Sequence, residues 1–75
     1  MTTTTVYVEL LGEGITVWRP VEAEVLPGDR YRLRAGPDYD AAVETWAYGP
    51  GTVVRCRQQD LGSGPVPVVV EAVPS

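Results

Sequence analysis

Apolar and polar side chains alternate along much of the chain, which is the pattern of half-buried β-strands. The segment TVYVELL places Val6, Val8 and Leu10 on one face. The segment RYRLRA places Tyr31 and Leu33 on one face, with arginines between them. Many of the apolar residues are β-branched, which favours extended backbone. The pattern therefore predicts strands rather than helices.

Glycine and proline separate these segments at short intervals. The breaks are GEG at 12–14, LPGD at 26–29, GPG at 49–51 and DLGSGP at 60–65. In LPGD the proline fixes one corner of a turn and the glycine accepts a positive φ at the next, which predicts a hairpin. Five to six short strands with such turns and no long helix indicate an all-β fold. We expect a small antiparallel barrel, because closure of the sheet removes exposed edges.

The segment VWRPVEAEV, residues 17–25, departs from simple alternation at two positions. Arg19 falls on the face of Val17 and Val21, and Pro20 interrupts the opposite face. Proline cannot donate to a strand ladder, so Pro20 predicts a sheet edge, a bulge or a strand break. If the strand bends at Pro20, its two halves need not share one register, and Arg19 need not be buried.

The start of the chain and one internal segment are less regular. Residues 1–5 are a methionine and four threonines. Terminal residues with nothing to pack against usually fray, so we expect a disordered tail over 1–5 and a single barrel domain over 6–75. Residues 36–44 fit a loop in which Asp40 could cap a single helical turn.

The segment VPVVVEAV near the C terminus predicts a strand that is apolar on both faces. Alternation places Val66, Val68, Val70 and Ala72 on one face of this strand. It places Val69, Glu71 and Val73 on the other face. Strands that are apolar on both sides are normally covered on both sides. In so small a domain, a second subunit could supply the outer cover.

The chain has 75 residues, a net charge of −4, no histidine and one cysteine. A domain this short buries only about 60% of the surface that its unfolded chain exposes, so its core is small. One cysteine excludes a disulfide within the chain, and a usual zinc ligand set is hard to build without histidine. General acid–base catalysis at neutral pH most often uses histidine. We therefore expect a non-enzymatic protein with no cofactor and no metal.

Composition also bears on the cellular setting. No apolar run is long enough to span a bilayer, and no basic-then-apolar leader is present. The single cysteine fits a reducing compartment, so we expect a cytoplasmic protein with no membrane contact. All six basic residues are arginine, which indicates a GC-rich genome more than a function. An acidic domain does not attract polyphosphate through its overall field.

The segments EGITVWRPVEAE, YRL and GPGTVVRC, followed by DLGSG, resemble a family of small bacterial proteins of unknown function. In that family a VWRPVEAE strand precedes a tyrosine-arginine strand, a tryptophan, and a proline-glycine turn into a VVRC strand. The resemblance runs from about Val6 to about Gly64 and departs between Gly36 and Glu44. It implies an SH3-like β-barrel and nothing about activity.

Every aromatic residue is a tryptophan or a tyrosine, so each combines an apolar ring with a hydrogen-bond donor. Trp46 and Tyr31 fit packing in or beside the core. Trp18, Pro20 and Tyr48 form a candidate protein-binding surface, because SH3-like barrels bind proline-rich peptides in aromatic-lined grooves. Packing of the same aromatics at the barrel rim is the alternative interpretation.

Five arginines on two predicted strands form a candidate anion or nucleic-acid surface: Arg30, Arg32, Arg34, Arg55 and Arg57. Such a surface would contact the backbone of a nucleic-acid strand, with stacking on nearby aromatics. Glu22 and Glu24 lie across the predicted hairpin from the first three arginines, so cross-strand ion pairs are the competing interpretation. Cys56 alternates with arginines on its strand, and we expect it to point inward as a small buried hydrophobe.

The leading functional hypothesis is a non-catalytic interaction module that acts by protein–protein contact. Its partner is either itself, as a homodimer or higher assembly, or a larger protein. The alternative is a nucleic-acid-binding small β-barrel. A third hypothesis is an enzyme or small-ligand binder whose pocket forms only between subunits.

Overall fold

A computed structural model describes residues 2–37, 39–40 and 42–74. These residues contain five β-strands, which are β1 (Thr3–Leu10), β2 (Val17–Leu26), β3 (Arg30–Leu33), β4 (Val53–Asp60) and β5 (Pro65–Ala72). The strands follow one another around a closed barrel in chain order. The predicted all-β fold and small barrel are confirmed.

Consecutive strands pair antiparallel, and the barrel closes through a parallel contact between β1 and β5 at Tyr7 and Val68. A parallel closing pair is the geometric result of an odd number of strands, since first and last then run in the same direction. The segment around Trp46 forms only an isolated bridge to Leu10. Residues 34–52 therefore connect β3 to β4 without a further strand among the described residues.

The hairpin predicted around LPGD is confirmed. β2 and β3 pair from Ala23 opposite Leu33 to Leu26 opposite Arg30. Gly28 in the turn has a φ of 78°, in the left-handed region that glycine enters at little steric cost. The turn thereby returns the chain directly alongside β2.

The core uses the faces that alternation predicted in β1 and at Leu33, together with residues of the other strands and Trp46. Its buried members are Val6, Val8, Val21, Ala23, Leu33, Trp46, Val54 and Val69. Residues opposite each other on paired strands point to the same side of a sheet, and Val6 lies opposite Val21. Most of these side chains are aliphatic, so removal of their surface from water is the main stabilising contribution.

The expected disordered tail is the first correction. β1 begins at Thr3, which lies opposite Glu24 on β2. The carbonyl of Thr2 accepts a hydrogen bond of 2.8 Å from the Val25 amide. Residues 2–5 are thus held by backbone pairing although their side chains are exposed, and Met1 lies outside the described residues.

The predicted faces of β5 are the second correction. Arg55 pairs with Glu71 and Cys56 with Val69, so Val70 is an extra residue on β5. Such a bulge breaks the two-residue period of the strand. Ala72, opposite Val54, therefore shares the inward side with Val69 rather than with Val68.

Val68 shows how the outer face of β5 is covered. It is 1% exposed yet does not belong to the core cluster. Its partners across the sheet are Tyr7 on β1 and Arg57 on β4, whose long side chains lie on the same side. The chain itself supplies this cover, while Val70 remains 40% exposed.

Residues 36–44, expected to be a loop with one possible helical turn, contain a turn that begins at Asp40. The amides of Val43 and Glu44 both donate to the Asp40 carbonyl at 3.0 Å. The Asp40 carboxylate accepts from the Ala42 amide at 2.9 Å, which is the predicted capping role. Asp38 and Ala41 of this segment lie outside the described residues.

Candidate binding groove

A groove opens beside the first half of β2. β3 pairs with β2 only from Ala23 onward, so the described residues place no strand on that side of residues 17–21. Pro20 lies in this segment, and the prediction of a sheet edge is confirmed there. The edge groove, as we name it, has a volume of about 130 Å³ and is lined by residues 19–22, Arg34, Gly36, Pro37, Tyr39 and Trp46.

An aromatic pair forms the apolar part of the edge groove. Trp46 is 7% exposed, and its ring meets Tyr39 edge-to-face with centroids 4.7 Å apart. Backbone hydrogen bonds of 2.8 Å on either side of Trp46, from Leu11 to Thr45 and from Ala47 to Glu9, fix its segment against the end of β1. Trp46 belongs to the core cluster, which agrees with the predicted packing in or beside the core.

Glu44 contacts both Trp46 and Arg19. The indole Nε1 of Trp46 donates to Oε1 of Glu44 at 2.6 Å. The same oxygen lies 3.3 Å from Nε of Arg19, and the carboxylate side chain is 19% exposed. A hydrogen bond to an ionised acceptor is stronger than one between neutral groups, so Glu44 holds the Trp46 indole in place and lies at ion-pair distance from Arg19.

The Arg19 side chain also lines the edge groove. Arg19 lies opposite Val8, so its side chain leaves β2 on the inward face. Pro20 therefore does not turn Arg19 to the outer face. Nε of Arg19 is buried and has no hydrogen-bond partner among the described residues, because its contact with Glu44 lacks hydrogen-bond geometry. The side chain as a whole is 42% exposed, which leaves the guanidinium accessible at the groove.

Arg34 and Glu22 stand at the outer rim of the groove. Their closest approach is 3.8 Å between Nε and Oε1, with side chains 50% and 58% exposed. This distance is too long for a hydrogen bond. Their backbones are joined instead, because the Arg34 amide donates to the Glu22 carbonyl at 3.0 Å.

The predicted protein-binding surface is only partly assembled. Trp18 is half-buried and Pro20 exposed on the outer face of β2, but only Pro20 lines the edge groove. Tyr48 lies on the other side of β1, where its hydroxyl contacts the Val70 carbonyl at 3.4 Å. The aromatic neighbour of Pro20 across the sheet is Tyr7, so the structure does not unite the three predicted residues.

The predicted arginine surface is largely paired with carboxylates. Arg32 bonds Glu24 at 3.0 Å, Arg34 approaches Glu22 at 3.8 Å, and Arg55 approaches Glu71 at 3.4 Å. The competing interpretation, in which Glu22 and Glu24 face arginines of the next strand, is confirmed for these two carboxylates. The pairs lie at the surface, although the Glu24 side chain is only 18% exposed, and surface ion pairs typically contribute at most about 1 kcal/mol to stability.

Arg30 and Arg57 have no carboxylate within ion-pair distance among the described residues. Arg30 instead donates from Nε to the Pro27 carbonyl at 2.9 Å. Arg57 lines a shallow depression of about 410 Å³ together with Arg55 and Asp29. The arginines of β3 and β4 are thus neighbours, as predicted, but they do not form a continuous cationic surface.

Cys56 borders the same depression and is half-buried. Burial raises the pKa of its thiol from 9.0 to about 11. The thiol is therefore protonated at neutral pH, which makes it a poor nucleophile. Among the described residues no group of three or more acidic, cysteine or histidine side chains could hold a metal ion.

Tyr39 and Glu44 are the site residues that sequence reasoning missed. Both lie in the segment of 36–44 that has no period of two or of 3.6, so no face could be assigned to them. The one available signal was Arg19 on an apolar face, which requires an acidic partner somewhere in the fold.

No protein-family model, no curated protein and no solved structure matches the chain. Within the part of the chain that the structure describes, no helix has the length and apolar character needed to cross a membrane.

Proposed function

We propose that the protein is a non-catalytic interaction module that binds a peptide segment of another protein in the edge groove. The observation that carries this proposal is the Arg19 side chain, 42% exposed at the groove, beside the Tyr39–Trp46 aromatic pair. A peptide that covers the aromatic rings can also pair with the exposed part of this guanidinium.

The groove has the composition of a recognition site. Aromatic and proline rings supply apolar contact area, and a few placed polar groups orient the ligand. Peptides that lie along a groove between aromatic and proline rings bury area without a deep cavity. The volume of about 130 Å³ suits one or two side chains of a peptide, not a large cofactor.

Another protein is a better partner than a second copy of the chain. Self-association was expected because β5 is apolar on both faces, but Val68 on its outer face is already 1% exposed. Nucleic acid is disfavoured because Arg32 and Arg55 each donate a hydrogen bond to a carboxylate and the chain has a net charge of −4. The proposal includes an SH3-like barrel and a cytoplasmic setting, which the single cysteine fits.

A selection experiment tests the proposal. The whole protein is immobilised and challenged with a phage library of random nonapeptides. We expect enrichment of peptides that bind the wild-type protein and lose binding when Tyr39→Ala removes one half of the aromatic pair.

Tyr48→Ala is the matched control. Both tyrosines are half-buried and packed against the core cluster, but only Tyr39 lines the groove. Far-UV circular dichroism establishes that both variants are folded. No enrichment, or enriched peptides that depend on Tyr48 and not on Tyr39, would refute the proposed function.

A further inference from the structure

The edge groove contains two guanidinium groups with unused donors. Nε of Arg19 is buried beside Glu44, but the Arg19 side chain as a whole is 42% exposed at the groove. Arg34 lies 3.8 Å from Glu22, beyond hydrogen-bond range. A guanidinium carries five N–H donors in a planar fork, so both side chains can bind a further acceptor without losing their carboxylate neighbours.

We propose that the groove selects a peptide with a glutamate or aspartate side chain, whose carboxylate binds between Arg19 and Arg34. This inference rests on the proposed function and names the chemistry that the ligand must present. Arg19 supplies the partly desolvated charge, where a hydrogen bond to a carboxylate is strongest. Arg34, half exposed at the rim, supplies the second contact. An apolar or proline residue beside the acidic one covers the ring of Tyr39.

Charge balance favours a carboxylate over a phosphate group. The two arginines are accompanied by Glu22 at the rim and Glu44 below, so the four groups sum to zero. A monoanion placed between the guanidiniums faces two carboxylates of like sign. A phosphate, with a charge near −2 at neutral pH, doubles the attraction and the repulsion alike, but it costs more free energy to remove from water. The groove therefore discriminates against phosphorylated side chains.

The orientation of Arg19 is prepared before binding. Its Nε lies 3.3 Å from Glu44, and Glu44 is itself held by the buried Trp46. A preorganised donor loses less conformational entropy when the ligand arrives. Arg32, by contrast, already donates to Glu24 at 3.0 Å and does not line the groove.

This difference provides the test. A groove-binding nonapeptide from the library is synthesised with a fluorophore in three forms, with its acidic residue as glutamate, as glutamine, or replaced by phosphoserine. Fluorescence anisotropy measures the dissociation constant of each form for the wild-type protein, for Arg34→Gln and for Arg32→Gln. Both substitutions remove an exposed arginine of the same strand region and change the net charge equally.

We expect Arg34→Gln to weaken the glutamate peptide by about tenfold, equivalent to ~1.4 kcal/mol, and to leave the glutamine peptide unchanged. Arg32→Gln should weaken neither peptide beyond the small effect of net charge. We expect the glutamate peptide to bind wild-type protein more tightly than the phosphoserine peptide.

The possible failures are distinguishable. If the enriched peptides require Tyr39 but contain no acidic residue, or if glutamate and glutamine forms bind equally, carboxylate selection is wrong and groove binding stands. Equal losses for Arg34→Gln and Arg32→Gln also overturn it, because the effect is then one of net charge. If no peptide requires Tyr39, both the inference and the proposed function fail.

Discussion

Trp46→Phe is the substitution that probes the aromatic pair and its charged support together. Phenylalanine retains an aromatic ring that can meet Tyr39 edge-to-face, but it has no N–H. The indole bond of 2.6 Å to Glu44 is therefore lost. Glu44 is left with Arg19 alone, and the 3.3 Å contact between them is not a hydrogen bond.

The size of the effect follows from the environment of the bond. Trp46 is 7% exposed, so water does not readily replace the missing donor. A hydrogen bond to a charged group contributes about 1.5–3 kcal/mol to stability. A chain of 75 residues has a free energy of unfolding of about 4–11 kcal/mol at typical values per residue. The substitution should therefore remove a large fraction of the total.

Urea unfolding followed by far-UV circular dichroism measures this loss without depending on tryptophan fluorescence. At ~4–8 °C per kcal/mol for a domain of this size, thermal melts should shift down by roughly 6–24 °C. Trp18→Phe is the matched control, because Trp18 is half-buried and its indole has no hydrogen bond to a described residue. It should lose less than about 1 kcal/mol, as surface substitutions usually do.

A double-mutant cycle with Glu44→Ala separates the bond from simple loss of volume. Both substitutions remove the same hydrogen bond, so their combined effect should be smaller than the sum of the two. Equal losses for the two tryptophan variants, or strictly additive losses in the cycle, would refute the reasoning.

Three further predictions concern other parts of the barrel. Burial raises the pKa of the Cys56 thiol from 9.0 to about 11 on folding, so the thiol ionises at lower pH in the unfolded chain. The free energy of unfolding should stay constant below about pH 9 and fall as the pH rises toward 11. Cys56→Ala, measured by urea titration, should remove that decline. Gly28→Ala should cost about 1–2 kcal/mol because of its left-handed φ, whereas Gly49→Ala, which has no such φ, should change the melting temperature little. In filter binding at low salt, about 50 μM protein should retain no RNA or DNA, and retention that Arg57→Gln abolishes would favour the nucleic-acid hypothesis instead.

Local alternation and turn chemistry were sufficient to predict most of the barrel. The inward positions of β1 and the LPGD hairpin follow from residue types within a few positions of one another. The bulge at Val70 is different, because all residues around it are apolar and neither face is marked. Its position depends on which residue of β4 lies opposite, which is a tertiary property. The tail was missed for the same reason, since Thr3 gains its partners from β2.

The groove was less accessible to prediction than the barrel. Arg19 and Pro20 marked the correct strand, and Trp46 was correctly expected to be buried. Tyr39 and Glu44 reach the groove only through the path of the β3–β4 connection, which has no periodic pattern. The predicted protein-binding surface therefore included Trp18, whose strand position was clear, although Trp18 lies outside the groove.

The most direct test of the proposed binding site uses the two indole N–H resonances of the protein in a ¹⁵N-correlated NMR titration with a library-selected peptide. Trp46 lies in the edge groove and bonds Glu44, whereas Trp18 lies outside it. We predict that the Trp46 indole resonance shifts progressively with added peptide while that of Trp18 stays in place. A shift of Trp18 with an unchanged Trp46 would contradict the account.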